Sequence, residues 1–269
     1  MNRWKYWVKK SALPESNMLF DTSLLRTVRK AVDTKGIVIG SRKLFSILHI
    51  PSVTSKGSCP SKGPTLIIAN HNGVFDTHVL IQTVKRTDYK FVALTLYTIF
   101  GKTVSDRLLP IYRHIPWLHR LYEFPLQYEV IGTFPRIYSH KEAQMQNRKT
   151  ISCGADWISG GGVVSLFPMG SVGKTTDGYK WKTGVGYMIK QITNPKTQVV
   201  FAHIVGTRKS DVWAYLNPLL RMVLFRPQPL SVQYSKPHLL SQLVNKKEGG
   251  REIAQKLERE YNKLFSPSK

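Results

Sequence analysis

A histidine and an aspartate stand five residues apart in Asn70-His71-Asn72-Gly73-Val74-Phe75-Asp76, a pair from which proton transfer can be built. On a regular helix such positions point about 140° apart and cannot touch. Across a turn that contains Gly73 the chain can fold back and bring them together. A carboxylate bonded to one ring nitrogen fixes the imidazole tautomer and stabilises the imidazolium, leaving the other nitrogen to take a proton from an incoming hydroxyl. If the substrate brings that hydroxyl, no Ser or Cys nucleophile is needed. The spacing alone is weak, because the chain has eight His and a capping Asp beside a polar turn His spells the same letters.

A second cluster, Gly170-Ser171-Val172-Gly173-Lys174-Thr175, follows an apolar run and has the look of a phosphate-binding loop. A nucleotide P-loop needs Gly where Pro168 stands, and a helix to receive the phosphates where Asp177-Gly178-Tyr179 form a turn. Gly170, Gly173 and Lys174 can still hold a phosphate monoester through backbone N–H groups and one point charge.

The elements that must position these residues alternate along the chain. Leu19 to Leu48 shows helical apolar spacing interrupted at Gly36 and Gly40, and predicts one or two amphipathic helices. Pro51 to Pro64 is rich in Ser, Lys, Gly and Pro and is expected as a loop. Thr65 to Ala69 predicts a buried strand, the His71 turn follows, and Val79 to Val84 continues as a helix. Further strands are expected at Lys90–Leu96, Val163–Phe167, Val199–Val205 and Leu230–Tyr234, with helices at Lys141–Ile158, from Gly184, and at Gly249–Leu264. Strands alternating with helices predict an α/β fold with a mostly parallel central sheet flanked by helices, and such folds place their sites in polar turns at strand carboxyl ends.

The order of the blocks adds a resemblance. Gly63-Pro64 with Leu66 to Asp76, then Val163 to Ser171, then Trp181-Lys182-Thr183-Gly184-Val185, then Val199 to Val205 resembles the PlsC-like glycerolipid acyltransferases of the lysophosphatidate and glycerol-phosphate type, over roughly residues 45 to 210. The resemblance implies a fatty acyl transfer from acyl-CoA or acyl-carrier protein to a glycerolipid hydroxyl, without an acyl-enzyme. It makes His71 the general base, Asp76 its orienting partner, and Asn70, Arg136, Gly170, Ser171 and Lys174 the substrate-binding residues. The co-substrate takes the place of a cofactor, and no metal is implied. The family usually reads FPEGTRS where this chain reads Phe167-Pro168-Met169-Gly170-Ser171-Val172-Gly173, so a Glu and an Arg are absent. Lys174 supplies a charge but not the bidentate fork of an Arg. The intermediate Arg-bearing block is matched by Gly132 to Arg136, or alternatively by Ile111-Tyr112-Arg113. A non-catalytic lipid-binding relative is the competing reading.

Composition narrows the partners. With 40 Lys and Arg against 16 Asp and Glu in 269 residues, the net charge is +24, while 42% apolar residues suffice for a packed core. Two cysteines, Cys59 and Cys153, form no CxxC, so neither a disulfide framework nor a zinc site is expected. The longest uncharged apolar stretch, Phe91 to Gly101, is too short to cross a bilayer. Basic charge attracts any polyanion, but none of the usual nucleic-acid signatures is present, so nucleic acid is not expected as a partner. An anionic membrane surface, acyl-CoA or an acidic carrier, and a lysophospholipid acceptor are. Trp4, Tyr6 and Trp7 among Arg3, Lys5, Lys9 and Lys10 suit the headgroup layer. The expected organisation is a membrane-associating amphipathic segment at 1–48 and one acyltransferase-like α/β domain at 49–269, peripheral on the cytoplasmic face of a membrane.

Overall fold

The computed structural model describes residues 20–113, 136–170 and 181–265. Two helices come first, α1 (Thr22–Lys35) and α2 (Ile37–Ile47). Asp21 caps α1 by accepting the Leu24 N–H at 2.9 Å, which satisfies one of the donors a helix start leaves open. Gly36, at φ +87°, breaks the run and turns the chain back. Then follow β1 (Thr54–Lys56), β2 (Thr65–Ala69), α3 (Asp76–Thr83), β3 (Tyr89–Leu94), α4 (Lys102–Arg107), β4 (Leu108–Ile111), α5 (His140–Ser159), β5 (Val163–Leu166), α6 (Gly184–Gln191), β6 (Gln198–Val205), α7 (Pro218–Leu224), β7 (Ser231–Tyr234), β8 (His238–Leu239), α8 (Leu240–Leu243) and α9 (Gly250–Phe265).

One eight-stranded sheet runs in the order β1-β7-β6-β2-β5-β3-β4, with β8 beside β6. All pairs are parallel except those that β6 makes with β7 and β8. The α/β class with a mostly parallel central sheet is therefore the one observed. Period-2 alternation splits the core into two layers. Ile67 and Ala69 of β2 face Leu24, Leu25, Val28, Leu44 and Phe45 of α1 and α2 and Leu80 of α3. Leu66 and Ile68 face Ala155 and Ile158 of α5, Val185 and Met188 of α6, and Leu257 of α9. Both faces of the strand are buried, as a continuous apolar run in a parallel sheet requires. The apolar stripes of α1 and α2, expected in a membrane-associating segment, are occupied by this packing, whereas Trp4, Tyr6 and Trp7 lie outside the described residues.

Three expectations are corrected. The stretch Pro51 to Pro64 is not all loop, because Thr54–Lys56 adds a short parallel strand to β7. The strand expected at Lys90–Leu96 is Tyr89–Leu94, after which Thr95–Phe100 forms a 3₁₀ helix. Leu108–Ile111 forms an edge strand that the mixed apolar pattern did not announce. At the amino ends of the central strands Arg86 holds three loops together: its guanidinium donates to the carbonyls of Gly63 (2.6 Å) and Gly161 (3.0 Å) and pairs with Asp88.

Candidate active site

The carboxyl ends of three adjoining parallel strands, β5, β2 and β6, converge on one place. Each sends out a turn, and the three turns build the site. β2 ends at Ala69, and Asn70 locks the exit: its side-chain oxygen accepts the Ile204 N–H at 2.6 Å while its amide donates to the Ile204 carbonyl at 2.8 Å. Asn70, expected among the substrate-binding residues, thus spends its amide on tying β2 to β6. The turn then passes so close to the loop after β6 that a Cβ on Gly73 would stand 2.6 Å from the Arg208 nitrogen and 2.7 Å from its carbonyl oxygen. Only a glycine allows that approach.

Folding back across Gly73 brings the pair together. His71 Nδ1 lies 2.8 Å from Asp76 Oδ2. The same oxygen accepts the backbone N–H groups of Asn72 (2.7 Å) and Gly73 (2.9 Å), and Oδ1 accepts the Thr207 hydroxyl. A fully buried carboxyl group surrounded by donors acts purely as acceptor, so the proton of the His71–Asp76 bond belongs on Nδ1. That leaves the Nε2 lone pair, which has no hydrogen-bond partner among the described residues, free to receive a proton. The imidazole is 19% exposed, and Phe167, from the turn after β5, stacks on it with ring centroids 4.5 Å apart at 21°. Hydrogen bond and stack together fix the ring in position and in plane.

Outer contacts hold the turn. Tyr97 donates to the Val74 carbonyl at 2.8 Å, and burial pushes its phenol far above the ordinary range, which keeps it a donor. Asp211 accepts the Arg208 N–H at 2.6 Å. Burial raises its carboxyl above the usual range, against the pull of the Arg208 N–H and guanidinium and with a push from Asp76.

No family model matches the chain, and no curated protein matches it. Among solved structures, the crystal structure of the 1-acyl-sn-glycerophosphate (LPA) acyltransferase PlsC from Thermotoga maritima is similar, at 13% identity and a TM-score of 0.46, over 91% of this chain and 98% of that one.

The other expected site residues stand as follows. Gly170 closes a tight turn at φ +69°, its N–H donating to the Phe167 carbonyl at 3.1 Å. Met169, which follows Pro168 in the second block, is buried in the α5–α6–α9 layer of the core. Ser171 and Lys174 lie outside the described residues. Arg136, just ahead of α5, pairs with Glu142 at 3.4 Å and sits over the Tyr138 ring. Sequence reasoning missed Thr207 as a partner of Asp76. Its signal was a hydroxyl residue two positions past the end of strand β6, at the carboxyl end of the sheet where such folds carry sites. Among the described residues, no three His, Cys, Asp or Glu are grouped to hold a metal ion, and no helix is long and apolar enough to cross a membrane.

Proposed function

We propose that the protein transfers a fatty acyl group from acyl-CoA or acyl-carrier protein to a hydroxyl of a lysophosphatidate-like glycerolipid at the cytoplasmic face of a membrane. The observation that carries this reading is the 2.8 Å contact of His71 Nδ1 with an Asp76 carboxylate that three further donors hold in place. His71 Nε2 takes the proton of the acceptor hydroxyl as its oxygen attacks the thioester carbonyl carbon. The C–S bond then breaks, the ester forms, and the departing thiolate takes the proton back from Nε2. Asp76 stabilises the imidazolium between the two transfers, and Thr207 and the two turn amides hold Asp76. The loop from Gly170 through Ser171 to Lys174 is proposed to receive the acceptor's phosphate, with Arg136 adding a substrate contact, while Asn70, its amide committed to Ile204, holds the turn rather than the substrate.

The test uses purified protein, radiolabelled acyl-CoA and a panel of lysolipids in anionic vesicles. His71→Ala should lower kcat about 100-fold or more. Thr207→Val, which removes one bond to the carboxylate, should lower it about tenfold with an unchanged KM for the thioester. Equal background rates for wild type and His71→Ala with every acceptor would refute the reading. Vesicle binding without turnover would instead favour a non-catalytic lipid-binding relative, a reading motivated by the buried Met169.

A further inference from the structure

The loop that supplies Thr207 leads into the most apolar exposed surface among the described residues. Thr207 and Arg208 pass into a 3₁₀ helix at Lys209–Tyr215 and then into α7, no residue of which is buried. Leu219 is 75% exposed, Met222 70% and Val223 65%, with Leu220, Leu224 and Trp213 also exposed. Arg221, the only charged residue of α7, turns inward instead: its guanidinium is 18% exposed and meets Asp21, the cap of α1, at 3.0 Å. A surface helix ordinarily buries its apolar side chains and shows its charges. Here the arrangement is inverted, so water is not the medium this helix is made for.

The surroundings say what the medium is. From Val212 to Pro229, the stretch that carries the patch, there is no Asp or Glu, while Arg221 and Arg226 fall in it. Lys209 and Arg226 flank the apolar patch and are exposed. Aliphatic side chains with a Trp at their edge and cations around them match the acyl boundary and anionic headgroups of a bilayer. The patch is also fastened to the site at both ends. At one end Thr207 bonds Asp76. At the other, Phe225 packs edge-on against Phe75 of the His71 turn (centroids 6.1 Å apart), and the Arg208 guanidinium donates to the Arg226 carbonyl at 2.8 Å.

We infer that α7 and Trp213 form the surface that seats this protein on an anionic bilayer and sets the depth of the His71 turn relative to the lipid. The inference rests on the reading that the protein works at a lipid surface, not on acyl transfer itself. The experiment is co-sedimentation of the full chain with phosphatidylglycerol/phosphatidylcholine vesicles that contain no acyl donor or acceptor. Leu219→Asp/Met222→Asp should lower the partition coefficient at least tenfold and leave the unfolding temperature unchanged. Ile39→Asp, an exposed apolar residue on α2, should bind as wild type. Brominated lipid should quench wild type more than Trp213→Phe. Undiminished binding of the double variant overturns the inference. So does a double variant that merely turns a dimer into a monomer, which would make α7 a contact between copies, or a loss of binding confined to Trp4→Ala/Trp7→Ala, which would move the seat to the chain's start. Vesicle binding that depends on α7 with no acyl transfer to any acceptor would leave this inference standing and remove the proposed reaction.

Discussion

His71 and Asp76 were legible as a pair because few residue combinations do proton chemistry and a glycine stood between them. Their support was not, because Thr207 and Phe167 arrive from positions far along the chain and only the sheet order brings them in. His78, two residues beyond Asp76, shows the opposite case of a histidine whose type suggests chemistry and whose setting denies it. It is buried among Phe45, Tyr97 and Phe100, bonds Ser41 at 2.8 Å through Nδ1, and has no partner for Nε2 among the described residues. Burial pushes it down from 6.5 to about 4. As pH falls below 6.5 the unfolded chain takes up this proton and the folded chain does not until about 4. Stability is therefore full above that window and declines through it, by about 3 kcal/mol at most from this group. Urea midpoints measured from pH 7 to 4 should fall less steeply for His78→Asn than for wild type.

At the scale of elements, the long apolar runs announced themselves and the short edges did not. β2 and β5 are buried along their whole length and β6 over Val199–Ala202, so their sequences are mostly apolar, interrupted by Thr65, Ser165 and His203. Thr54–Lys56 is exposed throughout, and nothing in three polar residues signals that β7 will pair with them. The sequence of Trp213 to Phe225 does not by itself say what it faces, for a physical reason: an apolar helix reads the same whether it meets a core or a bilayer, and only the inward turn of Arg221 separates the two. Helix contacts rest on residues with no side chain at all. Gly186 of α6 meets the start of α9 so closely that a Cβ would stand 1.8 Å from the Gly250 carbonyl oxygen. Gly186→Ala should force α6 and α9 apart and lower the unfolding free energy by about 1–3 kcal/mol, read from denaturant curves.

For the whole molecule, the net charge of +24 is a field rather than a site, with residues 61–130, which hold His71 and Asp76, the least basic quarter. Such a field acts at long range, and salt shortens that range from about 10 Å at 0.1 M to about 3 Å at 1 M. Binding to anionic vesicles should therefore weaken about tenfold or more over that interval, with a residue of binding left that neutral vesicles share and that α7 supplies. Salt-independent binding would mean that the charge takes no part.

The sheet order also sets a timetable for synthesis. β2 is the first wholly buried strand to be made, yet it lies between β5 and β6, and its first partner, Val163 against Thr65, emerges about 100 residues later, or roughly 5–20 s at ribosomal speed. For that time the strand that will carry the His71 turn has two open edges and one uncovered face: α1 and α2, already made, can cover Ile67 and Ala69, while Leu66 and Ile68 wait for α5, α6 and α9. Until then its edges are open to pairing with the wrong strand.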